Sequence, residues 1–346
     1  MLAATSVASS STSAWAYYVG TGVTPDCHER LTIDALLEVV DEIEPGLIVM
    51  ASSELSQNLT RYVATRYGLE HLEERHQQLA MVLFVGVRDL DTGGGAALNV
   101  VNLRHEHGGR HQQHAHCTRN EDDDYAAGDA VAVAGCRDGI VKNANRSWRA
   151  SLRPAPDQII DVPFVLDFYG GVDLPVWAPG FLLGRALHGL QDSFSHTLRT
   201  RDYRRITHVM NYTDAIGPVE DYDEARDGLR HSVAMDACSD DNAEIVRATR
   251  QATVEMIRAV ASEWTTATQG AALTVVDRWI QYEPGCEYPD YCDSPWLDYA
   301  QSDESYPFTG CSTASDATPD GGGLGLVILV GLGLGRRRGR RPSATE

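Results

Sequence analysis

The stretch from Phe181 to His208, FLLGRALHGLQDSFSHTLRTRDYRRITH, decides how this chain is read. At its centre, HGLQDSFSH sets His188, Asp192 and His196 at successive steps of four. On an α-helix such positions fall along one stripe, each about 40° further round than the last. Phe181, Leu182, Leu183, Leu187, Leu190 and Phe194 make the same helix a buried one. A carboxylate taken out of water is costly unless it is paired or bound to metal, and imidazole combined with carboxylate suits zinc. The competing reading is a core helix that shows three polar residues to solvent. Histidine and acid paired on one helical face recur in metal sites, which favours the first reading.

Working outward, the flanking segments read mostly as helices. Upstream, CHERLT (Cys27–Thr32) precedes the amphipathic run IDALLEVVDEI, with Thr32 as a plausible N-cap. Ser53–Tyr67 and Leu69–Val87 read as two more helices, and Val85–Gly93 ends the second in a Gly-rich, acidic turn holding Asp89 and Asp91. Five histidines then crowd one loop: His105, His107, His111, His114 and His116. The first three fit an exposed polar loop as well as a site, whereas His114 and His116, beside Cys117, fit an ordered position. Asp124–Ala150, Asn242–Thr268 and Ala271–Tyr282 read as helices, and Asp161–Val176, aromatic and broken by Gly and Pro, as a loop. Almost no segment alternates strictly between apolar and polar, so the expected class is all-α: a multi-helix domain with long loops.

Composition bounds the function. The chain has 346 residues, 43% of them hydrophobic, enough for one sizeable core or two small ones. Its formal net charge of -20 makes a nucleic-acid partner unfavourable, because binding a long polyanion needs basic surface. No fixed-period repeat is present. Residues 1–16, MLAATSVASSSTSAWA, read as the remnant of a signal peptide, with A-x-A-like cleavage sites ending at Ala14 and Ala16 but no basic start. Six cysteines in the body suggest disulfides in an exported protein. Cys286–Cys292 and Cys117–Cys136 are the expected pairs, leaving Cys27 with Cys238, although sequence leaves the connectivity open. The helical body is expected over 17–292, a Ser-, Asp-, Thr- and Pro-rich disordered linker over 293–320, and an apolar then Arg-rich tail over 321–346. The tail's run GGGLGLVILVGLGLG is shorter than the roughly 20 residues of a full membrane span, and the arginines after it obey the positive-inside rule.

The pieces CHERLT, VGVRDLD, HAHC and LGRALHGLQDSFSH with its later ITH resemble the zinc-dependent phospholipase C family. That family is all-α, shares its fold with single-strand-specific zinc nucleases, and hydrolyses phosphodiesters at a zinc cluster. The resemblance runs from about Tyr17 to Asp236, and the His-x-x-x-Asp pair is its most specific part. It implies two or three zinc ions held by His28, Asp89 (or Asp91), His116 (or His114), His188, Asp192, His196 and His208. Asp89 or Asp91 would be the bridging acid and catalytic base, and cleavage after Ala14 would make Trp15 the mature terminus. The family's last ligand pair, His followed four residues later by Glu, is missing: Tyr212 stands four after His208, and Asp214, His231 and Asp236 are the candidates to substitute. The tail resembles the sorting tail of myxobacterial surface proteins, which implies anchoring through Cys311 at the cell surface. The implied function is an exported or surface-anchored zinc phosphodiesterase acting on phospholipid, with choline-facing aromatics sought among Phe168, Tyr169 and Trp177. The alternatives are a nuclease on the same scaffold and a surface protein that binds metal without turnover.

Overall fold

The structure, a computed structural model, describes residues 26–94, 113–166, 170–211, 222–236, 238–266 and 269–301. The expected signal segment, His105, His107, His111, Phe168, Tyr169, Asp214, Cys311 and the tail over 321–346 lie outside these residues.

The pivot is α5 (Ala178–Ser195), which touches α1 (Cys27–Val39), α3 (Glu74–Thr92), α4 (Tyr125–Ser151) and α8 (Ala243–Trp264). Along α5 every residue is buried except Arg185, which is partly exposed. A helix apolar on most of its circumference must be surrounded, and each buried Leu or Phe contributes about 1.5–3 kcal/mol relative to exposure. Pro179 stands in the first turn of α5, where its missing N–H costs nothing. The closest packing is with α3. A Cβ on Gly86 would lie 2.3 Å from the Phe181 carbonyl oxygen, and one on Gly184 would lie 2.8 Å from both Gly86 Cα and the Leu83 oxygen. The two backbones therefore touch, which only glycine permits.

The other helices lie close to where the sequence sets them. α2 (Glu54–Tyr67) starts at Ser53, whose hydroxyl accepts from the Ser56 N–H, and α3 ends at Gly93, which caps onto the Asp89 carbonyl. α1 begins earlier than expected, at Cys27, so Thr32 is a buried mid-helix residue and not a cap. α9 (Ala271–Trp279) is capped by Glu263, one of whose oxygens accepts from the N–H groups of Gly270, Ala271 and Ala272.

The all-α expectation needs correction: the described residues are mostly helical but carry two small sheets. Residues read as a loop pair instead as an antiparallel hairpin, β1 (Ile159–Leu166) with β2 (Gly170–Trp177), in the register Val162↔Leu174 and Ile160↔Val176. Val162, Phe164, Leu174 and Val176 are buried while Asp161, Pro163 and Asp173 are exposed. The period-2 alternation is real but interrupted by Pro163 and Pro175. A second sheet orders β3 (Thr197–Arg199), β4 (Arg205–Val209) and β5 (Gln281–Tyr282). Two short helices, α6 (Glu224–Asp227) and α7 (Val233–Asp236), follow β4.

Three disulfides join Cys27 to Cys238, Cys117 to Cys136 and Cys286 to Cys292. The first closes a loop of 211 residues and ties the start of α1 to the segment just after α7. The packed body also runs past Cys292: Ser294 and Ala300 are buried, and in α10 (Leu297–Gln301) the Tyr299 hydroxyl donates to the Ala234 carbonyl at 3.1 Å. No described helix is long and apolar enough to cross a membrane.

Candidate metal centre

Among the described residues, three groups of His and Asp lie with their ligand atoms within 4.8 Å of one another: His28, His188 and Asp192; Asp91, His116 and His188; His196, His231 and Asp236. All of these residues are buried. Each comes from a different turn of the fold. His28 sits in the first turn of α1, Asp91 in the last turn of α3, and His116 on a short 3-10 turn (Gln113–His116) held by the Cys117–Cys136 disulfide. His188 and Asp192 are one turn apart on α5.

The first two groups share α5. Asp192 faces both: Oδ1 is 3.2 Å from His28 Nε2, while Oδ2 is 2.9 Å from His188 Nε2 and 3.2 Å from His116 Nδ1. Asp91 Oδ1 completes the second group, 3.3 Å from His188 Nε2 and 3.7 Å from His116 Nδ1. The two imidazole nitrogens lie 3.3 Å apart. Ligand atoms bonded tetrahedrally to one zinc at about 2.0–2.1 Å would be spaced by about 3.4 Å. Asp91, His116 and His188 therefore offer three donors near that spacing, with Asp192 Oδ2 set against both rings. The third group has His196 Nε2 3.3 Å and His231 Nε2 2.6 Å from the two oxygens of Asp236, giving three donors.

Hydrogen bonding aims the rings. His188 Nδ1 is 2.7 Å from the Val87 carbonyl, His196 Nδ1 is 2.6 Å from the His116 carbonyl, and His28 Nδ1 is 2.6 Å from Gln191 Oε1. A carbonyl only accepts, so each Nδ1 carries the proton and each Nε2 is turned toward the carboxylates. In neutral rings those Nε2 lone pairs would face carboxylate lone pairs, an arrangement relieved by a proton or a metal cation between them. Outer-sphere carbonyls placed this way are the usual means of orienting metal-binding histidines. The Val87 contact depends on the α3–α5 crossing at Gly86 and Gly184. Gln191 is fixed in turn: its amide nitrogen donates to Thr32 Oγ1 at 2.9 Å, which leaves its oxygen for His28.

Without a metal, the same carboxylates favour a proton on these rings. Burial pushes the His188 imidazole down, but Asp192 and Asp91 outweigh it and hold the ring well above its ordinary value. His196 is likewise lowered by burial and raised more by Asp192 and Asp236, to about 9. Burial raises the Asp192 and Asp236 carboxyls, and their histidines overcome it to hold both below the ordinary range. Beside the site, Arg88 Nη1 and Glu29 Oε1 form a buried pair at 2.7 Å that ties α3 to α1 between Asp91 and His28.

The structure brings together six of the residues expected from sequence: His28, Asp91, His116, His188, Asp192 and His196. It places three elsewhere. Asp89 points away from Asp91 and pairs with Arg185, since residues two apart on a helix project about 200° apart. His114 Nε2 meets Asp123 at 2.6 Å and also contacts Asn120. His208 sits between Asp129, 3.1 Å from Nδ1, and the Leu229 N–H, 2.9 Å from Nε2, so neither nitrogen is turned to the cluster. Nor does His196 continue the α5 stripe: the helix ends at Ser195, and His196, at φ -101° and ψ 13°, turns into the third group. His231 and Asp236, named from the sequence only as possible substitutes, fill that group. Their spacing of five matches no helical face, since Asp236 is on α7 and His231 precedes it. Trp177 is buried against Trp264 and gives no aromatic wall for a head group.

Comparison with known protein families, with curated proteins and with solved structures finds no match to this chain.

Proposed function

We propose that the chain is a zinc-dependent phosphodiester hydrolase of phospholipase C-like activity. The observation that carries the reading is Asp192, a fully buried carboxylate whose two oxygens face two donor groups at once. A purely structural zinc needs one closed set of four ligands. Here no group closes a set of four: two groups of three share His188, with Asp192 set against the histidines of both, and a further group of three is formed by His196, His231 and Asp236. Adjacent metal positions of this kind suit in-line displacement at phosphorus. The predominance of imidazole favours zinc over magnesium or calcium.

Zinc held by these residues would lower the pKa of a water to about 7 and supply positive charge to a phosphoryl group. The remaining work belongs to the chain. Asp192 fixes the spacing of the two adjoining positions. Asp91, held at the end of α3, is the carboxylate placed to orient the attacking water and take its proton. Val87, Gln191 and the His116 carbonyl keep three imidazoles in the tautomer that binds. Asp89 has no part in this, because Arg185 neutralises it.

The net charge of -20 favours a phospholipid diester over a nucleic acid strand. The three disulfides fit an exported protein, at the cell surface if the tail anchors it. The test is zinc-loaded full-length protein assayed on phosphatidylcholine vesicles and on single-stranded DNA, with metal content measured by elemental analysis. Lipid hydrolysis that needs the metal supports the reading. Cleavage of DNA alone reassigns the scaffold to a nuclease, bound zinc without turnover makes it an inactive metal-binding surface protein, and absence of bound zinc refutes the metal reading itself.

A further inference from the structure

His208 is buried, bears an imidazole, and is turned away from the cluster by a network that the proposed chemistry does not use. Asp129 on α4 is its hub. Asp129 Oδ1 accepts from the Val209 N–H at 2.7 Å and pairs with Arg119 Nη2 at 2.7 Å, and Oδ2 accepts from His208 Nδ1 at 3.1 Å. With its proton on Nδ1, the neutral ring accepts the Leu229 N–H at Nε2, 2.9 Å away. Arg119 reaches the same segment, donating through Nη1 to the Arg226 carbonyl at 3.3 Å and to the Asp123 carbonyl at 3.0 Å. Tyr291, in the loop closed by Cys286–Cys292, lies over the His208 ring at 4.2 Å between centroids.

What these contacts hold in place is the backbone that carries the third donor group. The Asn211 N–H donates to the Leu229 carbonyl at 2.7 Å, the His231 N–H donates to the Asn211 carbonyl at 2.9 Å, and the Met210 N–H donates to the His196 carbonyl at 2.9 Å. The strand continuing from His208 thus fixes both His196 and His231 by their main chains. The fit leaves no slack: a Cβ on Gly228 would lie 2.9 Å from Arg119 Nε and 3.0 Å from His208 Cε1, at a φ of +86° that side chains avoid.

We propose that His208 is a positioning residue which, with Asp129 and Arg119, latches the 226–231 segment and so sets zinc occupancy at His196, His231 and Asp236 without affecting the two positions around Asp192. This rests on the metal reading above. Two variants break the latch by different routes. His208→Phe keeps the ring on Tyr291 and removes both polar edges; Gly228→Ala leaves His208 intact and pushes the segment off it. His208→Gln restores an acceptor for the Leu229 N–H.

The experiment is zinc titration of the metal-stripped full chain by calorimetry, with elemental analysis after dialysis and a thermal melt to check each fold. Outer-sphere losses at metal sites run to about 10–100-fold in affinity. His208→Phe and Gly228→Ala should each weaken one zinc position by that factor and leave the others unchanged, and His208→Gln should recover most of the loss. Added to Asp236→Asn, which removes a ligand of the third position directly, His208→Phe should cost no further zinc. If His208→Phe does not fold, Gly228→Ala and His208→Gln carry the comparison. Unchanged zinc binding in both latch variants, or equal weakening at every position, overturns the proposal. A wild-type chain that takes up no zinc overturns the metal reading beneath it instead.

Discussion

Removing the metal should lower the melting temperature by a large and pH-dependent amount. The perturbation is exhaustive chelation of the full chain, with metal loss confirmed by elemental analysis. The donor groups define three positions. A ligand that binds only the folded state at about 100 times its Kd contributes about 2.7 kcal/mol per site, so three sites contribute about 8 kcal/mol. A domain of this size shifts by about 2–4 °C per kcal/mol, which puts the fall at about 15–30 °C. Protons compete for the same sites. The His196 pKa is raised to about 9 against an ordinary value of 6.5, so in the stripped protein its ion pair with Asp236 and its attraction to Asp192 are fully present below pH 6.5 and are lost as pH rises through 9. The chelator-induced fall should therefore widen between pH 6.5 and 9. Scanning calorimetry with and without chelator at both ends of that window measures it. A stripped protein that melts within about 3 °C of the loaded one throughout would refute the claim that these groups are built around cations.

Asp91→Asn should abolish hydrolysis by about 10²–10⁴-fold or more and reduce bound zinc, whereas Asp89→Asn, losing only a part-exposed pair with Arg185, should cost at most about 1 kcal/mol and leave turnover within about twofold; kinetics, elemental analysis and urea melts of the two variants decide it. Arg88→Met strands the buried Glu29 carboxylate and should destabilise by about 3–5 kcal/mol in urea unfolding, with Arg88→Met/Glu29→Gln recovering much of it. Burial holds His208 below its ordinary value of 6.5 despite the opposing pull of Asp129, so it favours the folded state fully above pH 6.5 and that contribution fades as the pH falls through the lowered folded value. The stability gap between wild type and His208→Gln, read from melts, should accordingly narrow under acid.

The sequence alone determined the parts of this protein that depend on local spacing. His188 and Asp192 are one helical turn apart inside an apolar run, and any helix there puts them side by side. Ser53, Pro179 and Gly93 mark helix ends by chemistry that acts within a few residues. His28, His116 and His196 were named from short motifs that resemble a known family, and the fold sets all three beside buried carboxylates. The hairpin was lost to reading because Pro163 and Pro175 interrupt the alternation that would have revealed it.

Tertiary structure decided the rest. Asp89 and Asp91 are equivalent in composition and two residues apart, and only the close crossing of α3 and α5 at Gly86 and Gly184 turns one inward and the other to Arg185. His208 and His231 pose the same problem over a longer distance. The pairing of β4 commits His208 to Asp129, and the segment it holds delivers His231 and Asp236 to His196. Ligand identity at such positions depends on which way a side chain faces across contacts between residues far apart in the chain, and local spacing carries no information about that.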